Sequence, residues 1–432
     1  MQIVFILLFM ALSLIVSKWL FGSYLSPLAV LGWAWGLSLL LYSIEFSSAS
    51  PLSRQSWVLI FGSWLGFLVG GILVGLRGKT NHSRQKKTRN VGLSEKYFKI
   101  MRFFAIISVL GSVRFALSVL SQAGLTSWLN NSINLRHSMT LEDFNTGSLT
   151  YVFQGITMAS AVLGGVAAAF RPRFGPAYLP ILASALFDLF FFGRAHIITV
   201  LLIFLSSLLL SLPLGGQDLG KFIRRHYRRI VIVGFVFVGI PMGFITQSRG
   251  RELSFSNLAR LIQDYTGNFT QTWYLLDALG TRQSFLSGGI NTFFPFSMLL
   301  YRLGVLDQDP RINRLFAEAL WVPSGRTSNT YTLLGSVYAD FGLLGSWLLF
   351  FLLGLLLNYL FLRYCRNPQL VRISILSFIY PTLILSVQSN IFGAFAPIIG
   401  LVMAVTCMLI WGQYEEARPR ATLHHRYIRG QK

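Results

Sequence analysis

The sequence predicts an all-α, polytopic membrane protein, a single integral membrane domain over residues 1–432. Three observations lead there. The chain is 53% hydrophobic and only 12% charged, with a mean hydropathy of +0.59. A soluble chain of this length would need more charge to cover its surface. Apolar runs recur at roughly 20 residues, the length that crosses a bilayer as a helix. Those runs lack the alternating polarity of a membrane β-barrel. Helices follow because a peptide group facing lipid has no water partner and must bond within its own segment. The third observation is where the charge sits. The net charge is +22, which by itself could suggest nucleic acid. All eight lysines, however, are Lys18, Lys79, Lys86, Lys87, Lys96, Lys99, Lys221 and Lys432. These lie in the segments that the positive-inside rule assigns to the cytoplasm, so the excess reports topology and attraction to anionic lipid. No nucleic-acid partner is expected. Cys365 and Cys407 both fall near the inner face and imply no disulfide framework.

The spans follow in order. Residues 2–21 form the first, and Lys18 comes after its apolar stretch rather than before it. That is the wrong order for a secretory signal, so an uncleaved helix is expected. Spans 27–46 and 56–76 flank a turn-rich outer loop, with Glu45 at its edge as a solvated helix end. Residues 77–99 hold eight Lys or Arg and one Glu, and are predicted to be cytoplasmic. Span 101–122 carries Arg114 near mid-membrane, where an arginine needs a partner or a wet cavity. The polar loop 123–147, with Arg136, His137, Glu142 and Asp143, lacks Lys and is placed outside. Span 148–170 ends in a basic inner turn. Span 177–193 contains Asp188, the natural partner for Arg114 in an ion pair that would hold two helices in register. Arg194 and His196 sit in a tight outer turn before span 197–213. Residues 218–229 are basic and cytoplasmic, and span 230–246 exits outward.

The next region, 247–341, is the large outer segment. It contains eight Arg, no Lys and seven acidic residues. Arginine without lysine suits two-pronged binding of phosphate or carboxylate, although positive-inside bias explains part of the pattern. Leu253, Leu258, Leu261, Ile262 and Tyr265, then Trp273, Leu275 and Leu279, have the spacing of short helices lying at the interface. Residues 293–306 are apolar enough to dip into the membrane, but Pro295 and Arg302 argue against a full span. Spans 342–362, 370–389 and 393–412 bring the expected total to about eleven, and a basic cytoplasmic tail, 413–432, follows.

No phosphate-binding Gly-rich loop, zinc-type His pair or Asp-rich metal motif is present in the sequence. No cofactor or metal is therefore expected. The remaining substrate class is a lipid with a polar headgroup. A diphosphate would want arginines at the outer interface. A sugar would want aromatic platforms, for which Trp273, Tyr274, Trp321, Tyr331 and Tyr338 are candidates.

The stretch 325–345, GRTSNTYTLLGSVYADFGLLG, resembles the signature of bacterial oligosaccharide repeat-unit polymerases of the O-antigen polymerase (Wzy) type. The polytopic layout, the large outer region before the motif and the Arg-bearing turn FFFGRAH are similar too. The resemblance implies a GT-C-like, metal-independent glycosyltransferase of the inner membrane. It would join oligosaccharide units carried on undecaprenyl diphosphate at the periplasmic face, with a chain-length regulator and a flippase as partners. The family's basic residues in two outer loops correspond here to Arg136 or Arg194 and to Arg249 or Arg251. Leaving-phosphate charge would be stabilised by Arg249, Arg251 and Arg326, with Arg194 next. Asn329, Tyr331 and Tyr338 are the further headgroup contacts expected. Asp340, or else Glu252, is the expected base for the attacking hydroxyl. The alternative for Asp340 is a favourable charge at a helix start. An O-antigen ligase shares the donor and the layout. A lipid-linked oligosaccharide flippase would instead want its arginines in a central cavity between repeated halves.

Overall fold

A computed structural model describes residues 2–45, 51–79, 91–130, 149–191, 195–217, 219–234, 271–279, 287–311, 320–322, 326–328, 331–412 and 414–416. The described chain is mostly α-helical. Among the described residues, six helices are long and apolar enough to cross a membrane. They are α1 (Gln2–Phe21), α2 (Pro27–Glu45), α3 (Arg54–Lys79), α4 (Glu95–Ala123), α6 (Leu149–Phe170) and α11 (Leu333–Arg366). Between α4 and α6 lies the short α5 (Leu125–Asn130). Four shorter apolar helices accompany them. These include α7 (Leu179–Phe191), α8 (Ala195–Ser211), α12 (Leu370–Leu385) and α13 (Phe395–Trp411). The amphipathic α9 (Leu219–Gly234), a helical segment at 271–279 and the short α10 (Phe294–Arg302) are described as well. The eighth expected span, 230–246, falls mostly outside the described residues.

Lipid-facing surface is visible in the exposure pattern. Leu344, Leu348, Leu352 and Leu356 recur every four residues along α11 and are all exposed. Phe103, Ile106, Leu110 and Leu117, at helical spacings of three, four and seven, are exposed on α4. Exposed leucine stripes of this length cover a helix that borders hydrocarbon, not water. Phe350 is buried against Trp35 of α2 and Phe361 against Phe21 of α1, while Trp347, Phe351, Gly354 and Asn358 of α11 meet α3. Helices α3 and α11 pack backbone to backbone. A Cβ at Gly70 would lie 2.5 Å from the Phe351 carbonyl oxygen, and one at Gly354 would lie 2.3 Å from the Phe67 carbonyl oxygen. Small residues at the crossing replace the hydrophobic drive that lipid removes, because they let dispersion contacts accumulate along both backbones. Of the six long helices α6 is the most enclosed, buried from Met158 to Ala169 and packed by α4, α8 and α13.

The bundle has two chemically distinct ends. At one, Arg366 donates to the Gly78 carbonyl (2.9 Å), Arg171 pairs with Glu95 (2.8 Å) and Tyr364 donates to the Leu210 carbonyl (2.6 Å). The strand β1 (Val91–Leu93) pairs antiparallel there with β4 (Tyr414–Glu416). Ser94 caps α4, its hydroxyl accepting from the Tyr97 amide. This end carries the described lysines, Lys18, Lys79, Lys96, Lys99 and Lys221, while Arg54, Arg302 and Arg311 lie elsewhere. At the other end, Asp277 accepts from the Ser53 amide (2.8 Å) and the Ser56 hydroxyl (2.6 Å), which places a carboxylate at the start of α3. Gln55 donates to the Tyr338 hydroxyl (3.0 Å). Short polar side chains dominate this end.

Three expectations change. Arg114 does not pair with Asp188. Arg114 is exposed, its guanidinium 5.9 Å from the Phe153 ring centroid, while buried Asp188 accepts from the Ile197 amide (2.8 Å). That bond caps the first turn of α8, so Asp188 fastens a helical hairpin rather than joining α4 to α7. The helical segment 271–279 does not lie at an interface. Trp273, Leu275 and Leu276 are fully enclosed, and the Trp273 indole donates to Ser38 on α2 (2.8 Å). The helix expected at 342 begins at Leu333, nine residues earlier.

Candidate functional site

The candidate site centres on the first segment of α11. Thr332 is its N-cap, accepting from the Gly335 amide (2.8 Å), and the Leu333 amide donates to the Ser386 carbonyl (2.7 Å). The helix then breaks at Gly342, with φ 67° and ψ −167°, before continuing to Arg366. Those angles are accessible essentially to glycine alone. The result is a buried half-helix, 333–341, followed by a lipid-facing one. Hydropathy places the boundary at 342 because only the second half faces hydrocarbon; the first is polar enough to pass for loop and is solvated by protein.

The half-helix holds an irregular segment that a membrane protein must satisfy internally. Asp340 Oδ1 accepts from the Ser287 hydroxyl (2.5 Å), the Asn291 amide (3.1 Å) and the Asn291 side-chain nitrogen (3.0 Å). Its Oδ2 accepts from the Thr292 amide (2.5 Å). On the other side, the Asn390 side chain donates to the Thr292 carbonyl (2.8 Å) and the Asn291 carbonyl (3.4 Å). One dipeptide therefore gives its amides to a carboxylate and its carbonyls to a carboxamide. The Ser287 amide also reaches the Ala339 carbonyl (3.4 Å), one of the acceptors left open near the helix break. This clamp fixes the entry to α10.

Helix α10 is amphipathic and only nine residues long. It buries Phe294, Ser297 and Met298 and exposes Phe296, Leu299 and Leu303. It is too short to span, as Pro295 and Arg302 suggested. Between α10, both halves of α11, and α12 lies an apolar cavity of about 290 Å³. Phe293, Val337, Leu353, Ile379 and Leu383 line it, and Thr292 and Asn390 stand at its polar margin. The Thr292 hydroxyl is buried there without a hydrogen-bond partner.

The expected site residues divide as follows. Asp340, Tyr338 and Tyr331 are brought together, but as buried groups: they are 2%, 6% and 1% exposed. Tyr331 and Tyr338, expected as headgroup contacts, and Asp340, expected as a base, are thus closed off from the surface. Tyr338 is tied to Gln55, and Tyr331 packs on Leu275 and Leu279. Trp273 likewise belongs to the core rather than to a sugar platform. Arg326 opens the strand β3 (Arg326–Ser328), which pairs antiparallel with β2 (Leu320–Val322), Arg326 opposite Val322. Arg136, Arg194, Arg249, Arg251, Glu252 and Asn329 lie outside the described residues. Sequence reasoning missed Ser287, Asn291, Thr292 and Asn390 as site components. A signal existed: the polar run S-G-G-I-N-T immediately before an apolar, proline-containing helix marks backbone that needs partners.

No family model matches the chain, and no curated protein or solved structure matches it.

Proposed function

We propose that the chain transfers a glycan from a polyprenyl-diphosphate carrier at the outer face of the membrane, polymerising lipid-linked oligosaccharide units. The observation that carries this reading is the juxtaposition of a clamped polar layer with an apolar cavity of about 290 Å³ immediately beneath it. A substrate with a polar head and a long apolar tail needs both. The motif 325–345 supports the same reading, since it supplies the hairpin strand at Arg326, the buried half-helix and its break. By the positive-inside rule, the basic end of the bundle faces the cytoplasm and the clamp faces out.

In this reaction the acceptor hydroxyl attacks the anomeric carbon of the donor glycan. A new carbon–oxygen bond forms, the bond to the phosphate oxygen breaks, and lipid diphosphate leaves. Arg249, Arg251 and Arg326, with Arg194, stabilise the charge that develops on the leaving oxygen. Arg136, Asn329 and the aromatic Tyr331 and Tyr338 complete the proposed headgroup region, the two tyrosines by holding its scaffold. The hydroxyl proton goes to Glu252. Asp340 already accepts four hydrogen bonds and acts by positioning rather than by proton transfer. Undecaprenyl diphosphate is the proposed carrier, the bacterial inner membrane the proposed location, and a chain-length regulator and flippase the proposed partners.

The test is a deletion strain complemented with the wild type or with Arg326→Lys. Loss of the gene should leave a single repeat unit on the lipopolysaccharide core. If no unit at all is attached, the activity is ligation. Lysine keeps the charge at 326 but loses the fork. Losing one charge-assisted bond costs about 1.5–3 kcal/mol, or roughly 10- to 100-fold in rate. A wild-type ladder from Arg326→Lys at matched protein level removes Arg326 from the site.

A further inference from the structure

A second cavity, of about 520 Å³, opens at the basic end. Arg171, Arg173, Arg225 and His226 line it, together with Phe170 and Phe174. No acidic residue among the described ones lines it. Arg171 is already engaged: it pairs with Glu95 and stacks 3.9 Å from the Phe98 ring centroid, which fixes its guanidinium as one wall. Arg173 and Arg225 have no acidic partner among the described residues. They come from different elements, Arg173 from the turn after α6 and Arg225 from α9. Two cations brought to one concavity repel each other unless an anion sits between them.

What surrounds the cavity identifies the source of that anion. Helix α9 buries Phe222 against the bundle, and His226 packs on that ring at 4.9 Å. On the same helix Ile223 and Tyr227 are exposed, interleaved with exposed Arg224 and Arg228. A basic helix with exposed apolar residues lies flat at a membrane surface, among headgroups. Across the cavity, Arg102 stands 4.9 Å from the Phe174 ring centroid, on the apolar flank of α4. The cavity is thus open at the depth where lipid phosphates sit, and is bordered by surfaces suited to acyl chains.

We propose that this cavity binds the phosphate headgroup of an anionic phospholipid from the cytoplasmic leaflet, gripped between Arg173 and Arg225 with Arg171 behind it. Basic pockets between helices on this side of a membrane recognise such headgroups by charge and by fork geometry. The site is separate from the clamp at the opposite end of the bundle. Its failure would leave the glycan-transfer reading untouched.

The experiment uses the full chain purified in mild detergent, with lipid retention read by native mass spectrometry after mixing with phosphatidylglycerol or phosphatidylcholine. Wild type should retain phosphatidylglycerol preferentially. Arg173→Gln with Arg225→Gln should lower that retention by roughly tenfold or more, since two charge-assisted contacts go. The double Lys variant, which keeps charge but not the fork, should fall between. Arg363→Gln, a basic-end residue bonded to Tyr359, should match wild type. Equal retention of phosphatidylglycerol by wild type and the double Gln variant, at matched thermal stability, overturns the proposal. So does stabilisation by inorganic phosphate alone that equals the lipid's and requires the same arginines, because the site then serves a soluble anion. A double Gln variant that fails to accumulate is replaced by Arg225→Gln alone, whose exposed side chain carries no packing role.

Discussion

The two ends of the bundle solve opposite problems with different side chains. The basic end uses long, charged, largely exposed groups, such as Arg171 and Arg363, that reach a carboxylate, a hydroxyl and rings. The other end uses short, uncharged or singly charged groups, such as Ser287, Asn291, Asp340 and Asn390, that are part-buried to fully buried and bonded to each other. A long side chain at a surface tolerates many geometries. A short buried one tolerates few, because each unpaired donor in a dry interior costs free energy. The basic end therefore tolerates many arrangements, while the opposite end holds a single shape.

The sharpest way to break this comparison is topology. Single cysteines at Asp307 and Arg173, both exposed and at opposite ends, are introduced after Cys365 and Cys407 are replaced. An impermeant thiol reagent applied from outside should label position 307 and leave 173 untouched. Labelling in the reverse sense inverts the two ends and removes the outer-face site.

Next in size is Asp340→Ala. It strands the Asn291 and Thr292 amides inside the protein and leaves the Ser287 hydroxyl only its longer bond to the Ala339 carbonyl. At about 1–3 kcal/mol for each buried group left unpaired, a loss of at least about 2 kcal/mol is expected. The melting temperature in detergent should fall clearly. Asp340→Asn keeps one acceptor oxygen and should fall less. A normally melting Asp340→Asn protein that makes no polymer would instead make Asp340 a reacting group.

A packing test comes third. Gly354→Ala puts a methyl 2.3 Å from the Phe67 carbonyl oxygen, so α3 and α11 must separate. Overpacking of this kind costs about 1–3 kcal/mol. Leu352→Ala, two residues away on the lipid face, should cost little. Equal melting temperatures for the two variants would mean that the crossing is not close-packed in solution.

Much of the fold was legible because lipid imposes it. Spans such as 2–21, 148–170 and 393–412 correspond to helices within a few residues, since hydrocarbon demands unbroken apolar length. Pairing was not legible. Arg114 and Asp188 share an expected depth, but depth says nothing about which way a helix is rotated, and Asp188 instead caps a neighbouring turn. The half-helix 333–341 was hidden for a related reason. Its Ser336 and Asp340 lower the local hydropathy, yet both face protein. The clamp joins residues about 50 and 100 apart in sequence, Asp340 and Asn390 closing on 291–292, and no local pattern encodes such a contact. One signal was present and unused: Gly62, Gly66 and Gly70 repeat every four residues and mark the face of α3 that α11 approaches.

The smallest expected effect concerns Asp309, a carboxylate at the same end as Asp340 but in a surface loop. Arg311, two residues on, bonds it through its side chain (2.7 and 2.9 Å) and its backbone amide (2.9 Å). Those bonds, the guanidinium's first, hold the Asp309 carboxyl below the ordinary carboxylate range. A lowered value contributes stability that is present above the ordinary titration range and fades only as the pH falls through the lowered one. From about pH 8 down to about pH 5, the melting curve should therefore show no inflection from this group. Arg311 is half exposed though the Asp309 side chain is 15% exposed, and a pair with one partner open to water adds little once solvent screens it and side-chain entropy is lost. Asp309→Asn should melt with wild type across that range. If it instead falls as far as Asp340→Ala, burial is not what separates the working carboxylates at this end from the incidental one, and the contrast between exposed charge and buried polarity fails on its own ground.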